Sequence, residues 1–250
     1  MKSERPKVLH EVLGRPMIGW VVDSALEAGA DRVVCVLGYG RDEVEAWLRD
    51  NVDPDKIEIA IQEEQLGTAH AVWAAREWLE GDDAPRFTAI LSGDVPNMDA
   101  ETMTRFFERT DNQRVPLGLV TAVLDDPAKY GRILRDADDE VTGIIEWADA
   151  TLGQREIDEI NAGVYFAKSD FLREYLPIIC EGPADTAQGE YYLTDLVAIA
   201  AEQVGAFGWQ VHELRTIQGV NTRARLAEAT AFARERINRR WMEFGVTMID

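Results

Sequence analysis

Short apolar runs rich in branched residues, at 32–37, 57–61 and 87–91, alternate with helical periodicity at 16–28, 42–50, 68–80 and 100–109. Runs of five or six residues are strand-sized. Each is followed by a helix-sized segment. That alternation predicts βαβ units and an α/β fold with a doubly wound, mostly parallel sheet. Beyond residue 110 the pattern changes. Residues 117–124, 141–147 and 160–167 read as longer strands, as in an added β layer. Helices follow at 170–177 and 193–203, then a strand at 209–214. A long amphipathic helix spans 222–244, with Leu226, Ala229, Ala233, Ile237, Trp241 and Phe244 on its apolar side. It reads as an arm leaving the domain body or as a helix packed along it.

Composition narrows the function classes. A hydrophobic fraction of 46% over 250 residues supports a sizeable core, in one large domain or two small ones. The net charge of -20 argues against nucleic acid as a partner, because phosphate backbones need a basic surface. A small nucleotide is compatible, since Mg²⁺ and one or two cations meet its charge locally. No apolar stretch is long enough for a membrane span, and the first residues lack the apolar segment of a signal peptide. Cys35 and Cys180 stand far apart without His or Cys at ligand spacing, which argues against zinc and against a disulfide framework. A cytoplasmic enzyme fits best.

Two runs carry the chemistry. Gln62-Glu63-Glu64-Gln65-Leu66-Gly67-Thr68-Ala69-His70 lies where a strand hands over to a helix, and Ser92-Gly93-Asp94-Val95-Pro96 caps a buried strand. Ligands of open α/β sheets bind at the carboxyl ends of strands, so both runs should face one crevice. A carboxylate at Asp94, beside a small Gly93, suits Mg²⁺, which takes one or two protein ligands and fills its other positions with water and phosphate. A turn aspartate is the ordinary alternative. The Gln62 amide can match the donor–acceptor edge of a base, and Gly67 permits close approach. A Gly-Thr helix start accounts for Gly67 and Thr68 but not for Gln62. Gly38-Tyr39-Gly40 also follows a strand, but Glu43 occupies the third glycine position of a dinucleotide fingerprint, so that reading is rejected. Further on, Tyr130-Gly131-Arg132, Ile145-Glu146, Glu159 to Gly163, Gln188 to Asp195 and Gly219-Val220-Asn221 join polar groups to glycines or strand ends. Together they suggest a polyhydroxylated ligand.

In this order the runs resemble the N-terminal pyrophosphorylase domain of the bacterial bifunctional N-acetylglucosamine-1-phosphate uridyltransferase/glucosamine-1-phosphate acetyltransferases. The resemblance extends from Pro6-Lys7-Val8-Leu9-His10 to Gly245-Val246-Thr247. It implies a nucleotide-diphospho-sugar transferase fold over residues 1–221, with 222–250 a helical arm. It also implies uridylyl transfer from UTP to N-acetylglucosamine 1-phosphate, giving the cell-wall precursor UDP-N-acetylglucosamine and pyrophosphate, with Mg²⁺ as cofactor. On that likeness Lys7 contacts phosphate, and Gln62, Gly67 and Thr68 hold the uracil. Ser92, Gly93 and Asp94 line the nucleotide, and Lys7 and Asp94 are the catalytic pair. Gly131, Glu146, Asn161 and Thr194 hold the N-acetylglucosamine moiety. Asp94 and Asn221 are the metal ligands. Ser92 replaces a bulkier aromatic found in some members.

Two departures from the family pattern set further expectations. The family's opening strand and its Gly-rich triphosphate loop precede the part that Met1 matches. Without that strand the resemblance predicts a gap between the strands at 32–37 and 87–91. The left-handed β-helix acetyltransferase domain, through which family members form homotrimers, follows the part that Asp250 matches. The competing readings are a non-catalytic nucleotide-binding fragment and a transferase for another sugar 1-phosphate.

Overall fold

The computed structural model describes residues 1–250 except Lys2, Asp82, Asp185 and Asp250. A 3-10 turn at Lys7–Leu9 leads into a hairpin of β1 (Glu11–Val12) and β2 (Arg15–Pro16). Its two-residue turn has φ of 51° at Leu13 and 81° at Gly14, the positive pair that a tight hairpin turn needs. Next come α1 (Met17–Glu27), β3 (Val33–Leu37), α2 (Arg41–Asn51), β4 (Ile57–Ile61), α3 (Thr68–Ala74), β5 (Phe87–Ile90) and α4 (Ala100–Gln113). The second half contains β6 (Leu117–Val123), β7 (Arg132–Arg135), β8 (Val141–Ile145), α5 (Leu152–Arg155), β9 (Glu159–Lys168) and α6 (Ser169–Cys180). It closes with α7 (Asp195–Gln203), β10 (Ala206–Gln210) and α8 (Arg223–Glu243).

The α/β class holds, but the pairing is mixed rather than mostly parallel. β3 pairs with β4, and β6 with β10, in parallel. β9 runs antiparallel to both β5 and β6, and β7 antiparallel to β8. Apolar patterning reports which residues are buried but carries no information on strand direction, so it places a strand at 160–167 without showing that β9 runs antiparallel. The later strands form no separate layer either: one six-stranded sheet has the order β5-β9-β6-β10-β8-β7. β3 and β4 form a separate two-stranded sheet. Among the described residues β5 has β9 as its only strand partner, and β3 has only β4. Ala89, inside β5, is exposed.

α4 and α6 run longer than expected, to Gln113 and Cys180, and other elements depart further. The strand expected at 209–214 is β10 at Ala206–Gln210, with a 3-10 turn at Leu214–Thr216 after it, and it includes Gly208, a strand breaker by composition. A Cβ there would lie 3.0 Å from Val141 Cγ2. The helix expected at 68–80 divides into α3 and a 3-10 turn at Arg76–Leu79, which delivers Leu79 to the core. β7 reads as loop in sequence because arginines flank it. In the fold Arg135 is ion-paired with Glu159 on β9 at 2.7 and 2.8 Å, and Arg132 is buried.

α1 spans the two sheets, packing on β3 and on α4. The core between β6, β9, α6 and α7 contains Leu119, Tyr165, Leu172, Leu176 and Leu196. α8 docks on the body through Ala229, Phe232 and Ala233, and Asn97 Nδ2 donates to the Ala229 carbonyl at 3.2 Å. Its last turn exposes Trp241, Met242 and Phe244. Both cysteines are free thiols. No described helix is long and apolar enough to cross a membrane.

Candidate active site

Lys7 reaches the site because the turn that carries it is anchored at both ends. Leu9 is buried beside Cys35 and Leu37, and Pro6 packs so close to Gly40 that a Cβ on the glycine would lie 2.6 Å from Pro6 Cγ. Val8 and Ile18 crowd Gly93 in the same way, at 3.3 and 3.1 Å from an added Cβ. Gly93 therefore serves packing as well as access. Past β5 the chain turns at Ser92, whose carbonyl accepts from Val95 N at 3.1 Å, and Val95 and Pro96 are buried. That turn presents the Asp94 carboxylate to solvent. Val220 N donates to the Asp94 carbonyl at 2.9 Å, which brings Asn221 alongside.

These three side chains meet. Lys7 Nζ lies 2.5 Å from Asp94 Oδ2 and 2.9 Å from Asn221 Oδ1. One carboxylate oxygen and one amide oxygen thus converge on a single cationic position, now held by the ammonium. The donor set is hard and sparse, as a hexahydrate-like cation such as Mg²⁺ requires. Among the described residues there is no group of three or more His, Cys, Asp or Glu that could hold a metal ion.

The base run is shaped by a segment more than a hundred residues away. Tyr191 N donates to Leu66 O at 2.7 Å, and Ala69 N donates to Tyr191 O at 2.9 Å. Leu193 N donates to Thr68 Oγ1 at 3.0 Å. Gly67 has φ 109°, and a Cβ on it would lie 2.5 Å from Tyr191 O, so no other residue fits. Gln62 folds back over the loop. Its Nε2 is 3.1 Å from Gly67 O and 3.2 Å from His70 Nδ1.

At the other end, Thr194 Oγ1 donates to Glu146 Oε1 at 3.3 Å, and a Cβ on Gly131 would lie 3.3 Å from both Glu146 oxygens. Asn161 N donates to the Gly131 carbonyl at 3.0 Å. A bulge in β9 opposite Leu119 to Thr121 contains Gly163 at φ 71°. It lets Asn161 Oδ1 accept from Gly163 N at 2.9 Å, while Asn161 Nδ2 donates to the Tyr165 hydroxyl at 2.6 Å. Gly163 then borders Ser92, at 3.5 Å from its Oγ to an added Cβ. Burial, then the nearby charges of Asp149, Asp195 and Glu190, raise the Glu146 carboxyl above its ordinary range, against the lowering by Thr194. Burial likewise raises the Tyr165 phenol and keeps it neutral.

The contacts close into a ring. From Gln62, Gly67 and Thr68 it passes through Thr194, Glu146, Gly131, Asn161 and Ser92 to Asp94, Asn221 and Lys7. It returns through Pro6 against Gly40 and Gly38 against Gln65, where an added Cβ would lie 2.9 Å from Gln65 Nε2. The residues expected in the site lie on this ring, apart from Gly93, which sits between Ser92 and Asp94 and packs on Val8 and Ile18. The rejected Gly38-Tyr39-Gly40 turn joins its two ends.

A model of nucleotidyl transferases matches residues 2–208. The chain belongs to the nucleotidyl transferase family. As a nucleotidyl transferase it is 42% identical over 250 residues to the bifunctional protein GlmU of Caldanaerobacter subterraneus subsp. tengcongensis, covering 100% of this chain and 52% of that protein. It is 45% identical over 251 residues to the GlmU of Sorangium cellulosum, covering 99% of this chain and 52% of that one. The chain thus spans about half the length of these relatives.

Two residues of this transferase's site were not singled out in the sequence. His70 was read as part of a run, and its contact with Gln62 depends on the loop folding back on α3. Arg132 is 2% exposed. It donates Nη2 to Ala128 O at 3.0 Å, Nη1 to Pro127 O at 3.3 Å and to Tyr130 O, and both Nε and Nη2 to Arg155 O at 3.4 Å. It thereby fixes the turn that delivers Gly131, including Ala128 at φ 45°. A buried arginine among carbonyls leaves no signal in sequence.

Proposed function

We propose that this chain transfers a uridylyl group from UTP to N-acetylglucosamine 1-phosphate in a Mg²⁺-dependent reaction, releasing pyrophosphate and UDP-N-acetylglucosamine. The observation that carries the reading is the meeting of Lys7, Asp94 and Asn221 midway round the ring, between an amide-rich end and a carboxylate end. An ionised oxygen of the sugar phosphate attacks the α-phosphorus of UTP. The bond from that phosphorus to the α,β-bridging oxygen breaks, and pyrophosphate leaves with the electron pair. The attacking oxygen is already ionised at neutral pH, so no general base or protein nucleophile is needed. Burial pushes both thiols, Cys35 and Cys180, up to about 11, which suits neither to nucleophilic work.

The residues act by positioning and charge neutralisation. Gln62 and the main chain at Gly67 and Thr68 orient the base, while Ser92 and Gly93 line the nucleotide. Glu146 and Asn161, with Gly131 and Thr194 behind them, accept and donate to sugar hydroxyls. Lys7 offsets charge that develops on the phosphates. Mg²⁺, held by Asp94 and Asn221, would supply further charge neutralisation across the phosphate groups. On the same reading residues 1–221 form the transferase unit, 222–250 are a helical arm, and the protein works in the cytoplasm.

Incubation of the chain with UTP, N-acetylglucosamine 1-phosphate and Mg²⁺ should release pyrophosphate. EDTA should stop the release, and glucose 1-phosphate should replace the acetylated sugar poorly. Pyrophosphate at the level of an enzyme-free blank would overturn the reading.

A further inference from the structure

The Gln62 side chain is held in one of its two flip states. The Gly67 carbonyl oxygen can only accept, so the amide atom 3.1 Å from it is the nitrogen. The same nitrogen lies 3.2 Å from His70 Nδ1. With a donor facing it, Nδ1 must be the lone-pair nitrogen, and the imidazole proton sits on Nε2. Both N–H groups of the amide are thus directed into the loop. Gln62 Oε1, to which no described residue donates, is what the loop presents to a ligand.

We infer that His70 is a positioning residue that turns the base subsite into an acceptor, selecting a base whose contacted edge carries an N–H over one with a ring lone pair there. Uracil has a proton on N3, and cytosine has a lone pair at the same position. The inference rests on the reading of Gln62 as the residue that meets the base. His70 holds its place through its own helix, α3, and through the ring of Tyr191, stacked at 6.3 Å with an interplanar angle of 29°. Tyr191 in turn is tied to both sides of Gly67 by main-chain bonds. Loop, helix and amide therefore form one unit, and Nδ1 is its remaining acceptor for the Gln62 nitrogen.

The test compares His70→Leu, which has no acceptor, with His70→Asn, whose Oδ1 takes the position of Nδ1. Both lose the ring contact with Tyr191, so a difference between them reports the acceptor alone. Titration calorimetry with UTP, CTP and N-acetylglucosamine 1-phosphate, each added separately to the full chain, gives the dissociation constants. His70→Leu should weaken UTP and lower the UTP-to-CTP preference by roughly fivefold, the worth of one ordinary hydrogen bond. His70→Asn should keep both within about twofold, and the sugar phosphate should bind all three proteins alike. Equal behaviour of the Leu and Asn variants, or parallel losses for UTP and the sugar phosphate, would overturn the assignment. Gln62→Ala separates the two levels. If it leaves UTP binding unchanged, the base-subsite reading fails and the inference with it. If it weakens UTP while His70→Leu does not, the role given to His70 alone is wrong.

Discussion

The Lys7 ammonium lies 2.5 Å from Asp94 Oδ2, joining the first turn of the chain to the end of β5 across 87 residues. The pair is partly exposed, Lys7 by 43% and Asp94 by 17%. Exposed ion pairs contribute roughly 0–1 kcal/mol to stability, so this contact adds little to folding. Asn221 shares the ammonium at 2.9 Å, which makes the three residues one coupled unit.

Asp94→Asn is expected to lower turnover about a hundredfold or more, as the loss of a group that stabilises charge in the transition state does. Its melting temperature should stay close to that of the parent. Lys7→Met should give a comparable loss, and the double variant should be little worse than the poorer single, because the two side chains are in direct contact. Steady-state rates at saturating Mg²⁺ read all three. Near-parental turnover of Asp94→Asn, or strictly additive losses, would sink the coupling.

Glu146 predicts a trade between stability and binding. Its carboxyl is raised first by burial and then by Asp149, Asp195 and Glu190, so the ionised form is worse off folded than unfolded. The stability this group contributes is present below the unfolded glutamate value of about 4.3 and is lost as pH rises through the higher folded value. Glu146→Gln keeps an acceptor for Thr194 and removes the charge. It should melt higher than the parent at pH 7, with the gap shrinking to nothing near pH 4. The same change should raise KM for the sugar phosphate about tenfold, the cost of a lost charged acceptor. Thermal melts across pH and the two KM values decide the matter, and a lower melting temperature at pH 7 would contradict the sign.

Arg132 predicts a structural defect with a functional echo. Arg132→Met leaves the carbonyls of Pro127, Ala128, Tyr130 and Arg155 without their shared donor. A hydrogen bond to a charged donor contributes roughly 1.5–3 kcal/mol, so denaturant unfolding should show at least one such loss. Arg132→Lys should fall between Met and the parent, since an ammonium has three donors and no planar fork. Both should weaken the sugar phosphate more than UTP, because the turn they loosen ends in Gly131. A Met variant as stable as the parent would remove the basis for this role.

The sequence by itself determined the α/β class, most helices and strands of the first half, and the candidate members of the site. It could do so because strand and helix periodicities are local, and because Gly67 and Asp94 lie at strand ends where a ligand can approach. Only the tertiary structure decided how those members are joined. That β9 runs antiparallel between β5 and β6 and that Tyr191 clamps Leu66 and Ala69 are facts of pairing between distant segments. Hydrophobic pattern carries no strand direction, and a polar side chain in a loop gives no sign of its partner. Arg132 is the plainest case. Composition marks it as a surface charge, and the fold buries it because five donors and four carbonyls meet at one point.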